Sequence, residues 1–497
     1  MTNTIYSKPN PKLRQLFDKA GDPKQVLCIP IDYAKSHHMV LFCDGQGDIL
    51  HKAFSVENSP KGLKDLLSHL DATCRKRKLQ RQNAFFGGED VPLWAENFLY
   101  ALHSQGFPVI QVNAWEAKRN RTNFQASTDA LDLHGIAHCL LKGRGQLFPT
   151  ISGDYRHLRD LSRERQSLVR ASTALTNRLH GYVDRLFPHF LELKHSGIDP
   201  LSPACWWVMQ SDRFSAPQIA HCRAPYLIKG LERHGMTEAA TVVTKLQDLA
   251  RQVLPPALQH VATWQRIVHD QAVQWHALQE SIAQLDRPIA LLLAQTPGAF
   301  FTSISGIGIT LAAGIVSELG DQWPPIDSLC SYAGVIPIVK QTGGKDKPAV
   351  TLGVGNHCNH HLKNYLVQAA NKMGVLGPPD LKERYRQALT RESHADFILA
   401  KDLLGLCKAL FQEQRVYLPE SLMAEDSPAQ ERAAYYQDLF AKLLIKWRPK
   451  AQIMQAFDPK WPLGQWRQMV QDAYQISLPL VVPASLRHAA DAAKPTT

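Results

Sequence analysis

The chain has 497 residues, with 56 Lys and Arg against 45 Asp and Glu, a net charge of +11. At 44% hydrophobic and 20% charged it has the composition of a globular protein, long enough for about three domains, which excludes a disordered or fibrous chain. Nine cysteines with no Cys-x-x-Cys pair exclude a zinc ribbon and a secreted disulfide scaffold, and the positive balance suits a polyanion such as nucleic acid. The amino terminus lacks the apolar core of a signal peptide, and no run of about 18 apolar residues offers a membrane span. The expected home is the cytoplasm, beside the nucleoid, with no membrane partner.

In chain order, residues 1–24 are polar and expected to form a flexible arm. Residues 25–150 read as the first domain. An apolar run, Val26 to Ile31, ends at Asp32, and a second extended segment covers Met39 to Cys43. The turn Asp44-Gly45-Gln46-Gly47-Asp48 leads into a third, giving an antiparallel meander. Another extended run, Ala84 to Gly88, closes at Glu89. Asp129 and Asp132 lie three apart, so on a helix both carboxylates share one face. Two strand ends and one helix can bring these four acids together as a nuclease of the ribonuclease-H type requires. Oxygen ligands of that kind suit hard divalent cations, which clamp the attacking and leaving oxygens of a phosphodiester. The alternative is four solvated, unrelated acids. The run Arg75 to Lys78 reads as a solvated helix face, whereas Lys118, Arg119 and Arg121 stand near the acidic pair and read as phosphate contacts.

From 151 to 294 a helical coiled-coil region with an insert is expected. Leu158, Leu179 and Leu186 share one heptad position, and Leu161, Leu168, Leu175 and Tyr182 the next. Arg165 and Ser172 interrupt this seam. Arg163 and Arg170 belong to its basic outer face, so the helix suits either dimerisation beside nucleic acid or an intramolecular hairpin. A second helical stretch carries Trp275, Leu278, Ile282 and Leu285, and Pro288 is expected to end or kink it.

The segment 295–375 opens with Ser305-Gly306-Ile307-Gly308 before an Ala-rich helix. Gly306 and Gly308 resemble the turn of a helix-hairpin-helix, where backbone N–H groups approach a phosphate. A close helix–helix turn without a ligand fits equally. Next comes Tyr332-Ala333-Gly334, then Gln341-Thr342-Gly343-Gly344-Lys345. Thr342, between Lys340 and Lys345 and beside Gly343, reads as a phosphate-facing nucleophile or as a polar turn. His357, Cys358, His360 and His361 follow no standard zinc spacing, and with Lys363 they read as phosphate or surface contacts. Residues 376–497 read as a helical extension with a disordered tail.

Six segments in order carry a resemblance: Ile31-Asp32-Tyr33-Ala34-Lys35, Gly88-Glu89, Ser127 to Asp132, Ser305 to Gly308, Tyr332 to Gly334, and Gln341 to Gly343. Over roughly 25–373 the chain resembles insertion-sequence transposases that join an N-terminal RuvC-like DEDD domain to a C-terminal serine-type transposase domain. These are the bridge-RNA-guided recombinases and their Piv-type invertase relatives. The resemblance implies an α/β plus α protein, its coiled-coil middle assembling a dimer or tetramer. It implies that Asp32, Glu89, Asp129 and Asp132 bind Mg2+ or Mn2+, and that residue 342 links covalently to DNA. It also implies a non-coding guide RNA that pairs with the DNA while the protein reads backbone and shape. The family's nucleophile is serine, and here it is Thr342, whose extra methyl crowds the attack path. In the family's Ser-Lys-x-Gly-Asn segment, the lysine is here Asn356 and the glycine Cys358. A RuvC-like nuclease without a covalent intermediate and a non-catalytic nucleic-acid scaffold remain the alternatives.

Overall fold

The computed structural model describes residues 10–89, 93–121, 128–149, 151, 153–340, 350–354, 358–391, 395–423 and 429–447. The chain divides into two units, 1–152 and 153–497.

The first unit is a six-stranded mixed sheet covered by helices on both faces. Its strands are β1 (Leu27–Asp32), β2 (His37–Asp44), β3 (Ile49–Glu57), β4 (Ala84–Glu89), β5 (Val109–Val112) and β6 (Gln146–Leu147), in the order β3-β2-β1-β4-β5-β6. The meander expected over the first three strands is present, antiparallel throughout, while β1, β4 and β5 run parallel. The helices are α1 (Pro11–Ala20), α2 (Pro60–Arg77), α3 (Glu96–Ser104), α4 (Ala114–Arg119) and α5 (Asp129–Leu141).

Strand alternation sorts the two faces. Leu27, Ile29, Ile31 and Phe86 pack with Leu66 and Leu70 of α2 and Leu99 and Leu102 of α3. Cys28, Phe85, Ile110 and Val112 pack with Leu13 and Leu16 of α1 and Ile136 and Leu140 of α5. Residues 11–20, expected within a flexible arm, are therefore a helix docked on the sheet. The amide of Asn10 donates to the carbonyl of Gly143 at 2.7 Å, and its side chain caps α1 by accepting from Lys12. Short polar composition at 1–24 concealed two apolar residues three apart, one helical face, which find partners only in the folded sheet.

The second unit is helical: α6 (Gly153–Leu186), α7 (Pro203–Met209), α8 (Ala216–His221), α9 (Ala224–Arg233), α10 (Ala239–Gln252), α11 (Leu258–Ala294), α12 (Ile309–Leu319), α13 (Ile326–Ala333), α14 (His360–Leu376), α15 (Pro379–Arg391), α16 (Ala395–Glu413), α17 (Glu420–Met423) and α18 (Ala429–Trp447). A two-stranded antiparallel hairpin joins β7 (Pro337–Lys340) to β8 (Val350–Val354).

Helices α6 and α11 pair with each other inside the chain. Arg165 Nε donates to Asp286 at 2.8 Å, and Gln279 Nε2 donates to Ser172 Oγ at 2.8 Å. Seven residues forward on α6 match seven back on α11, so the pair is antiparallel. The two polar interruptions of the α6 seam are thus the residues that fix its register against α11, and the intramolecular hairpin is the arrangement seen. Pro288 does not end α11, which runs on to Ala294. It gives up one backbone bond, to the carbonyl of Gln284, and the packed ends around Ile289 and Leu293 sustain the helix.

Two cores lie at opposite ends of this hairpin. Leu158 with Ile289 and Leu293 joins α12, α14, α16 and α18 in one. Leu179, Val183 and Leu186 with Val261 and Val268 join the insert helices α7 to α10 in the other. The segments 295–375 and 376–447 share the first core, through Leu362, Leu403 and Trp447 among others. No described helix is long and apolar enough to cross a membrane.

Candidate active site

Ile31 of β1 lies opposite Gly88 of β4 in parallel register, so Asp32 and Glu89, one step on, finish neighbouring strands side by side. Both fall on the α5 face, because they continue the alternation of Cys28 and Phe85. The glycines before Glu89 permit this packing. A Cβ at Gly87 would lie 2.4 Å from Leu140 of α5, and one at Gly88 would lie 2.1 Å from the ring of Tyr33.

Helix α5 begins at Thr128, whose hydroxyl caps it by accepting from the amide of Leu131 at 3.4 Å. Asp129 and Asp132 occupy its first turn, where the helix dipole favours negative charge. Asp129 is exposed, while Asp132, Asp32 and Glu89 are half-buried. Burial pushes the Asp32 carboxyl up to about 6, with Asp132 and Asp129 adding repulsion and Arg121 opposing it. Burial raises Glu89 as well, reinforced by Asp32 and then Asp132. The four acids picked out in the sequence are therefore neighbours in one electrostatic cluster, in which Asp32 and Glu89 stay raised despite the charge of Arg121.

Arg121 is the positive member. Its guanidinium pairs with Asp132, the two side chains being only 9% and 16% exposed. Lys118 and Arg119 are exposed, and Arg119 lies 4.5 Å from the ring centroid of the exposed Trp115. Among the described residues no three His, Cys, Asp or Glu side chains close into a metal-holding group. The donor set is all oxygen and unbalanced in charge, which suits a hard divalent cation. The spacing, with Asp132 held by Arg121, does not form a cage.

In the second unit, a polar network absent from the sequence reading centres on Glu318. Its carboxylate is wholly buried on α12, whose other residues carry no charge. Arg163 donates to it through Nε at 2.7 Å and Nη2 at 2.8 Å, Arg159 approaches at 3.3 Å, and Asn359 Nδ2 donates at 2.8 Å. Burial alone would raise Glu318, but the Arg163 fork and Arg159 bring it below the usual carboxylate range. Asn359 also donates to the hydroxyl of Tyr332 at 2.8 Å and caps α14. His361 bonds Gln166 at 2.5 Å, and burial followed by the charge of Arg163 lowers its affinity for a proton. Arg163, expected to face nucleic acid, thus has its fork on Glu318. The signal available was one acid in the run Ala312 to Leu319.

The remaining expected contacts are scattered. Arg170 is exposed on α6. A Cβ at Gly306 would lie 3.3 Å from the backbone of Lys372, so that glycine allows close helix packing, while Gly308 caps α12 facing open space. Lys446 of α18 gathers the carbonyls of this turn, donating to Thr302 and, at 2.8 Å, to Ile307, and its burial lowers its pKa to about 8. Lys363 sits 5.3 Å from the ring centroid of Phe397. Thr342, Gly343 and Lys345 lie outside the described residues, as does the side chain of Lys340.

Two family comparisons cover these segments. A profile of DEDD-type IS110 transposases, described simply as "Transposase", matches residues 29–188, which span all four carboxylates. A second, "Transposase IS116/IS110/IS902 family", matches residues 298–386, which span Glu318, Tyr332, Thr342 and Asn359. The chain carries the domains of an IS110-family transposase. It is accordingly an enzyme of DNA transposition. No curated protein matches the transposase.

Proposed function

We propose that this transposase cuts and rejoins DNA strands of a mobile element, with Asp32, Glu89, Asp129 and Asp132 as metal ligands and Thr342 as nucleophile. The observation that carries this reading is the electrostatic coupling of four acids from two strand ends and one helix. A protein that only bound a polyanion gains nothing from uncompensated negative charge aimed at its partner. The strand order, a three-stranded meander followed by parallel strands, supports a RuvC-like fold for the first unit.

Mg2+ or Mn2+ held by these carboxylates would supply Lewis-acid stabilisation of a developing oxyanion. Thr342 Oγ gives up its proton to solvent as it attacks phosphorus, forming a phosphothreonine ester. The bond to the deoxyribose oxygen breaks, and that oxygen takes up a proton as the hydroxyl leaves. An incoming DNA hydroxyl reverses the step, so rejoining needs no outside energy. Guidance by a non-coding RNA and assembly into a dimer or tetramer rest on the family resemblance. Hydrolysis without a covalent step is a second reading, favoured by threonine where the resembled family has serine.

The test is incubation of the full chain with end-labelled DNA and Mg2+, resolved on a denaturing gel. A protein–DNA adduct that maps to Thr342 is the expected result. Free cut ends alone would assign a nuclease, and a mobility shift without cutting would assign a scaffold.

A further inference from the structure

Arg121 occupies an unusual place for a residue in a basic run. Its neighbours Lys118 and Arg119 reach solvent, whereas its own side chain is 9% exposed and lies on Asp132. The route between them is built. Asp132 and Gly135 are three apart on α5, and a Cβ at Gly135 would lie 2.3 Å from the carbonyl of Ala117 and 3.1 Å from Cγ of Arg121. The missing side chain at 135 lets α4 approach α5 and leaves the space that the stem of Arg121 crosses. The backbone leading to it is also fixed: Asn113 caps α4, Asn120 Nδ2 donates to Glu116 at 2.7 Å, and the amide of Arg121 donates to Lys118 at 3.3 Å. From there its charge acts on Asp32 and Glu89 too.

We propose that Arg121 is a positioning residue of the carboxylate site, a built-in counter-cation that holds Asp132 until a divalent ion displaces it. This rests on the metal reading given above. The two cations compete for the same carboxylate: the guanidinium pairs with Asp132 when no metal is bound, and metal entry requires that ion pair to open. Arg121 therefore sets the affinity of the site downward and keeps the empty cluster from repelling itself apart. A guanidinium released beside a scissile phosphate is a donor well matched to it.

The experiment is Mn2+ titration of the full chain, with free Mn2+ read by its electron paramagnetic resonance signal, and thermal melts in EDTA and in Mn2+. Arg121→Gln, which keeps the bulk and deletes the charge, should bind Mn2+ about tenfold more tightly than wild type, the effect of one unit charge at close range. It should also melt lower in EDTA and gain more from Mn2+. If Arg121→Gln fails to fold, Arg121→Met decides, since it keeps the aliphatic stem beside Gly135, lacks the charge, and should likewise bind Mn2+ about tenfold more tightly than wild type. Equal or weaker Mn2+ binding in the folded variant would overturn the role given to Arg121. If wild type binds no more Mn2+ than Asp32→Asn does, the metal reading itself fails and takes this inference with it.

Discussion

Single residues set the chemistry. Replacing Asp32, Glu89, Asp129 or Asp132 with Ala should reduce DNA cleavage by about 100-fold or more, while gel-shift affinity for DNA stays near wild type. Wild-type cleavage by Asp129→Ala or Asp132→Ala would remove α5 from the site. Asp32 also gives a pH signature. Its folded pKa, about 6, lies above the unfolded 3.8, so the folded state binds the proton more tightly. The penalty is absent below about pH 4, grows as the pH rises through 6, and is fully present at neutrality. In EDTA, Asp32→Asn should therefore stabilise the protein at pH 7.5, by about 1 kcal/mol after discounting solvent screening, and change little at pH 4. A difference between the two melts that is the same at both pH values would show that Asp32 carries no such penalty. At position 342, Thr342→Ser should keep or raise adduct formation by deleting a methyl from the attack path, and Thr342→Val should abolish it. An adduct that survives in Thr342→Val places the nucleophile elsewhere, and Ser331, Ser328 and Thr351 would be mapped next.

At the scale of elements, the buried arginine–glutamate cluster ties α6 to α12 and α14. Glu318→Ala leaves two arginines facing each other without their anion and should cost about 3–5 kcal/mol. Glu318→Met should cost clearly less if Arg163 can swing to solvent, and denaturant melts compare the two. Such elements also show how far the chain could be read unaided. Strand ends at Asp32 and Glu89 were legible because apolar runs stop abruptly there, and alternation then fixes the face. The Asp129–Asp132 pair was legible from helical spacing. Arg121 was not: its charge places it with Lys118 and Arg119, and only the gap at Gly135, a contact between two helices, turns it inward. Glu318 was hidden for the opposite reason, since its partners are 41 to 159 residues away and a lone acid in an apolar helix names none of them. The seam of α6 was visible, yet periodicity alone could not say whether a second copy or α11 filled it. Arg165 and Ser172 looked like defects, and each has its polar partner on α11.

For the whole molecule, the charge of +11 predicts DNA binding that weakens steeply with salt as phosphate contacts release counterions. Affinity measured between 50 and 200 mM salt should fall by about tenfold or more, and a flat response would deny the basic surface a role. The antiparallel hairpin of α6 and α11 has a further consequence, one of timing. Its matched residues are separated by 107 positions at Ser172 and Gln279 and by 121 at Arg165 and Asp286. At a synthesis rate of about 5–20 residues per second, α6 emerges from the ribosome roughly 5–20 seconds before the helix that covers it. Over that interval the insert helices α7 to α10, whose partners are nearer in sequence, are the surface available to Leu179, Val183 and Leu186. The hairpin can close only once α11 has followed, so a nascent chain paused inside the insert leaves the Leu158 end of the α6 seam uncovered for whatever chaperone stands at the exit.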